Sequence, residues 1–355
     1  MANPVQPQFR LVANTKDITS IVADRLVSMR MRDETGNTSD MLEFVLADNL
    51  PSKPIAMPET GAALTLSLGY DSKLTNMGSF IVDELAWEGP PDRMIIRARS
   101  AAYDMGNDGA YHLQTHKVRS WKAGTTIGAM VMKVAKEHGM TGVVASSLAN
   151  IGLPHVDQQD ESDLNMLLRI AKKYDAVVKP SGNHLVMAKR GEFKSATGQT
   201  LTPVTINKSD CDHYHYSQQK RDSAGSVVAY WHSTKTAKRN IITVGSGEPV
   251  RRIKQYFQTQ AEAVAAAKAE LSKRSRAMQT MHIILGGNPA LGAECKVTLT
   301  GFRVDLPTTW IAKTVEHILD PDAGYICDVE LEQPDASAQN DVTVTVDDDT
   351  DDSVG

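Results

Sequence analysis

Apolar residues recur at every second position through much of the first hundred residues. Phe9, Leu11 and Ala13 share one face of a strand, and Met41–Ala47 reads as a half-buried strand. Leu64, Leu66 and Leu68 alternate with Thr65 and Ser67. Phe80–Leu85 and Met94–Arg99 flank a Gly89-Pro90-Pro91 turn. A period of two marks strands with one covered face. Short strands separated by Gly and Pro predict a meander that closes into a barrel or a sandwich.

The period then changes. Ile127, Met130, Val131, Val134 and Ala135 recur at helical spacing, with Thr125 or Thr126 placed to cap the start and Gly139 to end it in a left-handed turn. A second helix is predicted from Ser162, with Leu164, Leu167, Leu168 and Ala171 on one face and Lys172 and Lys173 at its carboxyl end. Further on, Thr259-Gln260-Ala261-Glu262 forms a capping box ahead of an alanine-rich helix that runs to Arg276. Strands return at Met281–Leu285, Cys295–Leu299, Trp310–Ile318 and Tyr325–Leu331. The fold class read from these periods is mainly β with an α/β insert. Residues 1–114 form a first β-barrel domain, and 115–200 a small helical or α/β insert. Residues 201–332 form a second barrel with one helix, and strands are exchangeable between the two barrels. Residues 333–355, which lack apolar periodicity apart from Val342, Val344 and Val346, form an acidic tail without fixed structure, available to order on a partner.

Composition narrows the function classes. A chain of 355 residues is too long for one core and predicts two or three packed units. Aromatics make up 5%, so the cores are mostly aliphatic. The formal charge is −5, but the tail from Gln333 carries seven aspartates and no Lys or Arg, which leaves the body near +2. That balance argues against specific nucleic-acid binding. Three scattered cysteines, Cys211, Cys295 and Cys327, do not make a disulfide framework and fit folding in a reducing cytosol. Met1–Arg10 lacks an apolar signal core, and no stretch approaches the ~20 apolar residues of a membrane helix, so neither a Sec signal nor a membrane partner is expected.

The two β regions echo each other. Gly61-Ala62-Ala63-Leu64-Thr65-Leu66-Ser67-Leu68-Gly69-Tyr70 has the plan of residues 292–302, GAECKVTLTGF, which has one extra residue. Each is followed by a strand with an early aromatic, Phe80-Ile81-Val82 and Trp310-Ile311-Ala312. A third strand follows, Met94-Ile95-Ile96-Arg97 and Tyr325-Ile326-Cys327-Asp328. A chain with two like barrels, taken three times in a ring, presents six.

Candidate chemistry is sparse. On a regular strand Cys211, His213 and His215 would share a face and could begin a zinc site, but no second ligand pair follows. The bland alternative, a strand at a subunit contact, is preferred, and no cofactor or metal is expected. Asp160, Glu161 and Asp163 are adjacent acids at a helix start, where the dipole explains them better than glycoside hydrolysis does. Gly245-Ser246-Gly247 lacks the lysine of a phosphate loop. Arg251, Arg252 and Lys254, beside Tyr256 and Phe257, could touch nucleic acid, but an acidic partner surface suits them better.

Several stretches in order along the chain resemble one known family. They are Ser39-Asp40, Gly61 to Tyr70, Glu88-Gly89-Pro90-Pro91, Arg119-Ser120-Trp121, and the run from Gln159 to Ala171, QDESDLNMLLRIA. The chain resembles the phage late control D proteins, the hub of the contractile-tail baseplate, and is similar to the hub half of type VI secretion spike proteins. The resemblance implies a structural subunit, not an enzyme. It implies a homotrimer whose two tube-like barrels build a pseudo-six-fold ring between a hexameric tail tube and a trimeric spike. It also implies contacts with other baseplate proteins, and a channel that passes the genome without binding it specifically. Location would be the virion baseplate or an equivalent injection particle, assembled in the bacterial cytoplasm. Secretion-type proteins continue into a spike in the same chain. Here the sequence ends soon after Leu331, so the spike is expected to be a separate protein. The rival readings are a tail-associated enzyme that degrades cell wall and the hub of a secretion-type device.

Overall fold

The computed structural model describes residues 6–35, 39–50, 54–100, 113, 115–181, 184–192, 201–219, 224–232, 239–321, 323–334 and 345–347. The first β region gives β1 (Pro7–Ala13), β2 (Lys16–Asp17), a short helix α1 (Thr19–Ala23), β3 (Leu26–Glu34), β4 (Met41–Ala47), β5 (Ala63–Tyr70), β6 (Lys73–Glu88) and β7 (Arg93–Ser100). The middle gives β8 (His116–Trp121), α2 (Ile127–Glu137), β9 (Thr141–Val144), α3 (Ser146–Ala149), β10 (Val156–Ser162), α4 (Asp163–Lys173), β11 (Ala176–Ser181) and β12 (His184–Lys189). The remainder gives β13 (Val204–Asn207), β14 (Cys211–Gln218), β15 (Ser226–His232), β16 (Arg239–Gly245), β17 (Val250–Phe257) and α5 (Gln260–Ala277). It closes with β18 (Gln279–Gly286), β19 (Lys296–Thr300), β20 (Thr309–Asp320), β21 (Gly324–Glu332) and β22 (Thr345–Asp347).

The two barrels are built from six strands each, and they correspond one to one in chain order: β1, β3, β4, β5, β6, β7 with β13, β14, β18, β19, β20, β21. Every pairing in the first has its counterpart in the second. β1–β5 answers to β13–β19, β3–β4 to β14–β18, and β4–β7 to β18–β21; β5–β6 answers to β19–β20, and β6–β7 to β20–β21. Only the closing strand differs in sense, since β1 is antiparallel and β13 parallel to its neighbour. Irregularities recur too. A bulge falls between Val82 and Glu84 in β6 and between Ala312 and Thr314 in β20. Another falls between Leu26 and Ser28 in β3 and between Cys211 and His213 in β14.

These registers correct the sequence alignment in detail. Phe80 coincides with Trp310, as the pattern suggested, and both are buried. Gly61, however, coincides with Glu294, not Gly292. The Gly61 amide donates to the Val82 carbonyl, as the Glu294 amide does to Ala312. Both residues hold left-handed φ angles, 89° and 64°. A turn therefore adds two residues rather than one before β19. The third strand is displaced by two positions, so Met94 meets Cys327, which keeps the same face inward.

The alternation read from the sequence has a simple cause. In β4 every second residue (Leu42, Phe44, Leu46) is buried, and in β5 Leu64, Leu66 and Leu68 are. These side chains and those of β18 to β21 form one continuous cluster. The barrels are not separate bodies. The N-terminal part of β20 pairs with β19, and its C-terminal part pairs with β3. The result is an unbroken run of eight strands, β14-β18-β21-β20-β3-β4-β7-β6, crossing from one barrel into the other.

The insert has its own core, where α2, α4 and the sheet β9-β12-β11 enclose Ile127, Met130, Val134, Leu167 and Met187. Thr126 caps α2 and Ser162 caps α4, each hydroxyl accepting an amide hydrogen bond at 3.2 Å, and Gly139 has φ 68°.

The stretch 201–332 holds more than the expected barrel and helix. Between β14 and β18 lies a second sheet, β17-β15-β16-β22, with α5 laid on it around Val227, Ile242, Val244 and Phe257. The alanines Ala263, Ala266 and Ala267, which in sequence read only as helix formers, let α5 approach the sheet closely. The tail read as lacking structure supplies a strand there: Thr345–Asp347 pairs antiparallel with Ile241–Thr243 of β16. Asp335, Asp341, Val342, Val344 and Asp348 to Asp352 lie outside the described residues, as do residues 101–112, 114 and 193–200, which precede the expected boundaries.

Candidate assembly surface

The face of the eight-strand run that turns away from the core is charged along its length. Arg97 binds Glu43 and Glu84, each at 2.6 Å, and Arg99 binds Asp83 at 2.7 Å. Arg30 reaches Glu316 at 3.8 Å, Lys313 binds Glu330 at 3.2 Å, and His282 binds Asp328 at 2.6 Å. Exposed pairs of this kind contribute only about 0–1 kcal/mol each. Their effect is to give the sheet a polar, nearly balanced face that spans both barrels.

Buried charge fixes how the units meet. Lys179 of β11 reaches out of the insert to Asp33 at 2.7 Å and Asp40 at 2.5 Å in the first barrel. Asp33 also accepts the amide of Ala293 in the second barrel at 2.8 Å. Burial, reinforced by the Asp33 charge, pushes the Asp40 carboxyl up to about 7, while Lys179 holds Asp33 below its ordinary range. Arg276, at the end of α5 and only 2% exposed, grips Asp175 after α4 with two bonds and lies 3.3 Å from Glu332 at the end of β21. It ties the second sheet, the insert and the second barrel together. Neither cluster was foreseen. The only sequence trace of the first was the Ser39-Asp40 motif.

The predicted metal candidates separate. The bulge at Asp212 puts Cys211 opposite Leu285, on the core face, and His213 and His215 opposite Ile284 and His282, on the polar face. The Cys211 thiol donates to the Asn207 carbonyl at 3.3 Å, and burial with Asp210 and Asp212 nearby pushes its pKa up, away from the thiolate that binds metals. Among the described residues no three His, Cys, Asp or Glu groups come together as a metal site.

The acids at the start of α4 also part. Asp163 is fully buried and accepts from Lys117 (2.6 Å), Arg119 (2.5 Å), His138 (2.8 Å) and Gln158 (2.9 Å). Those donors outweigh its burial and hold it well below the usual carboxylate range. Asp163 stands in the first turn of α4, where the dipole favours an acid, and these donors add to that. Glu161 is taken up by Arg169 at 2.7 Å, and Asp160 points to solvent beside His116. A saturated, ionised Asp163 is a poor general acid.

Arg251, Arg252 and Lys254 lie on β17 and line a cleft with Lys172, Lys173 and Lys273. Arg252 donates to the Tyr230 hydroxyl at 2.8 Å, and Tyr256 stacks on His232, leaving Phe257 buried. No helix among the described residues is long and apolar enough to cross a membrane.

A doubled barrel with one shared sheet, a charged outer face and charge-locked insertions has the character of a scaffold subunit. Comparison with known proteins agrees. Residues 61–322 match the model of the phage tail baseplate hub (GPD) family. The chain is 32% identical over 370 residues to a probable baseplate hub protein of Escherichia phage 186, covering 92% of each, and 30% identical to that of Escherichia phage P2, covering 92% of this chain and 93% of that one. Its fold matches a 43 kDa tail protein of prophage MuSo2 from Shewanella oneidensis with a TM-score of 0.69, over 93% of this chain and 99% of that one, at 13% identity. These findings define a structural subunit of the contractile phage tail, located in the virion baseplate. The chain belongs to the phage tail baseplate hub (GPD) family.

Proposed function

We propose that three copies of the chain close into a ring that adapts a six-fold tail tube to a three-fold spike. The observation that carries this is the strand-for-strand correspondence of the two barrels, down to their bulges. Three chains with two equivalent barrels offer six similar sites on one face, while the insert and the second sheet, present once per chain, repeat three times. The charged face of the shared sheet lines the central channel. A genome slides past such a mixed, ion-paired wall more readily than past a basic one, which would bind it. The partners are the tail tube protein, a separate trimeric spike and other baseplate proteins, with no membrane partner. The basic cleft on β17 receives an acidic surface of one of them. Catalysis plays no part: the acids of α4 act as structural anchors, and Cys211, His213 and His215 belong to an assembly strand rather than to a metal site.

The test is reconstitution. The purified chain is mixed with the tail tube protein and the spike protein of the same particle, separately and together. A ternary complex with both partners bound at once supports the adaptor. Binding of only one partner, or hydrolysis of peptidoglycan by the chain alone, contradicts it.

A further inference from the structure

The sheet β17-β15-β16-β22 ends on β17, which pairs with β15 alone. All its residues except Ile253 and Phe257 are exposed, and Val250 and Tyr256, near its ends, are 39% and 48% exposed. The strand also bows away from its neighbour. Val228 faces Arg252 and Tyr230 faces Tyr256, so Ile253, Lys254 and Gln255 stand where β15 offers only Ala229. Three residues against one cannot all pair, and their main-chain groups need partners elsewhere.

A charged edge strand is often only a guard against unwanted pairing. Two features set this one apart. First, β17 forms one wall of a cleft of 1210 Å³ whose other walls come from α4 and α5, with Leu168, Val177, Ala266 and Ala269 as its apolar part. Second, the charge left over in the cleft has one sign. Its acids are already taken, Asp175 by Arg276 and Glu270 by Arg274, and Lys173 is taken by Glu262. Lys172, Arg251, Lys254 and Lys273 are exposed and have no ion pair among the described residues. Tyr256 lies between His232 and Tyr230, and Phe257 is buried, so the strand offers no open aromatic face for stacking bases. The opposite edge of the same sheet shows what form an occupant takes: there an extended segment ending in an aspartate, Thr345–Asp347, is added to β16.

We propose that β17 is a docking edge, and that an extended acidic segment of another baseplate protein lies along Val250–Gln255 as an added strand. Main-chain hydrogen bonds to β17 supply affinity, as in other cases of strand addition. Alternate side chains of the segment divide between the two parts of the cleft. Apolar ones settle against Leu168, Val177 and the α5 alanines, and carboxylates meet Lys172, Arg251, Lys254 and Lys273 in charge-assisted bonds. The inference rests on the acidic-surface reading of this cleft given above and specifies the form of that surface.

The probe is a short blocked peptide of alternating aspartate and valine, titrated at low salt into the full-length chain. Two further ligands are compared with it. One is the same peptide with every main-chain nitrogen methylated, which keeps the charge but cannot donate; the other is a short oligothymidylate. Hydrogen exchange with and without the plain peptide follows the main chain of β17. The plain peptide is expected to bind, the methylated one about tenfold more weakly or worse, as the loss of a few main-chain hydrogen bonds requires. Exchange is expected to slow at Ile253–Gln255. Arg251→Glu with Lys254→Glu should weaken the plain peptide by about tenfold or more while leaving the circular dichroism unchanged. Equal binding of both peptides with no slowing on β17 overturns strand addition and leaves the cleft as an acid-binding surface. Slowing confined to β16, or tighter binding of the oligothymidylate, overturns the docking edge. Binding of neither peptide overturns the acidic-surface reading as well.

Discussion

Trp87 and His317 occupy the same place in two copies of one barrel, and their surroundings differ in one respect. Each lies five positions beyond an equivalent inward-facing residue, Val82 or Ala312, with the same bulge between. His317 is covered by Met31 of β3, and burial holds its imidazole down to about 4, neutral, with a 2.7 Å hydrogen bond to the Tyr325 hydroxyl. Trp87 has no such cover.

Assembly should therefore report itself through Trp87. Trp121 and Trp310 are buried already, and Trp231 is half-buried. Tryptophan emission is expected to shift to the blue and lose most of its iodide quenching as concentration rises through assembly. Trp87→Phe is expected to abolish most of that change while leaving far-ultraviolet circular dichroism unaltered. A concentration-dependent shift that survives Trp87→Phe would assign it to another interface.

Asp163 should make the insert sensitive to acid. Its carboxyl is held below the unfolded value of 3.8, so the stability it contributes is present above about pH 4 and lost as pH falls further. Asp163→Asn leaves Lys117 and Arg119 with Glu137 as their remaining carboxylate, and is expected to cost about 3 kcal/mol at pH 7. Urea unfolding at pH 7 and pH 3 measures both effects, and the variant should lose less stability between the two than the parent does.

Asp40 should act in the opposite sense. Its folded value of about 7 lies above its unfolded 3.8, so the stability it contributes is fully present below about pH 4 and is lost as pH rises through 7. The loss cannot exceed about 1.4 kcal/mol per pH unit for one proton. Asp40→Asn mimics the protonated form, and its unfolding midpoint is expected to change less than the parent's between pH 5 and pH 8.

Arg276 should hold the second sheet to the rest of the chain. Removing one partner of a buried pair costs about 3–5 kcal/mol, so Arg276→Met is expected to lose that much. Arg276→Lys, which cannot make both bonds to Asp175, should fall between the two. Hydrogen exchange is expected to quicken first in α5 and β15.

The strands were legible because each has one wet and one dry face. Met41–Ala47 was predicted with the bounds it has, Thr126 rather than Thr125 is the cap of α2, and the Thr259 hydroxyl accepts the Glu262 amide as read, while Glu262 reaches back to the Gln258 amide instead of that of Thr259. The doubling was legible through Phe80 and Trp310. Its register was not, because Glu294 takes a left-handed conformation where Gly61 stands in the first copy, and nothing in a glutamate announces that. The sheet of β15 to β17 was hidden because its core uses alanines and its strands carry Arg251, Arg252 and Lys254 on the open side. The zinc-like spacing of Cys211, His213 and His215 assumed a regular strand, and one bulge undoes it. The lysine and arginine that lock the units, Lys179 and Arg276, find carboxylates more than a hundred positions away, beyond any local pattern.

The central claim is that a subunit with two like barrels closes into a ring of three. Light scattering on the purified full-length chain, with class averages of the same sample, tests it most directly. The account predicts a particle of three times 38.7 kDa, with an open centre and six similar lobes alternating in their attachments. A monomer that persists at high concentration, or a closed ring of six chains, would contradict it.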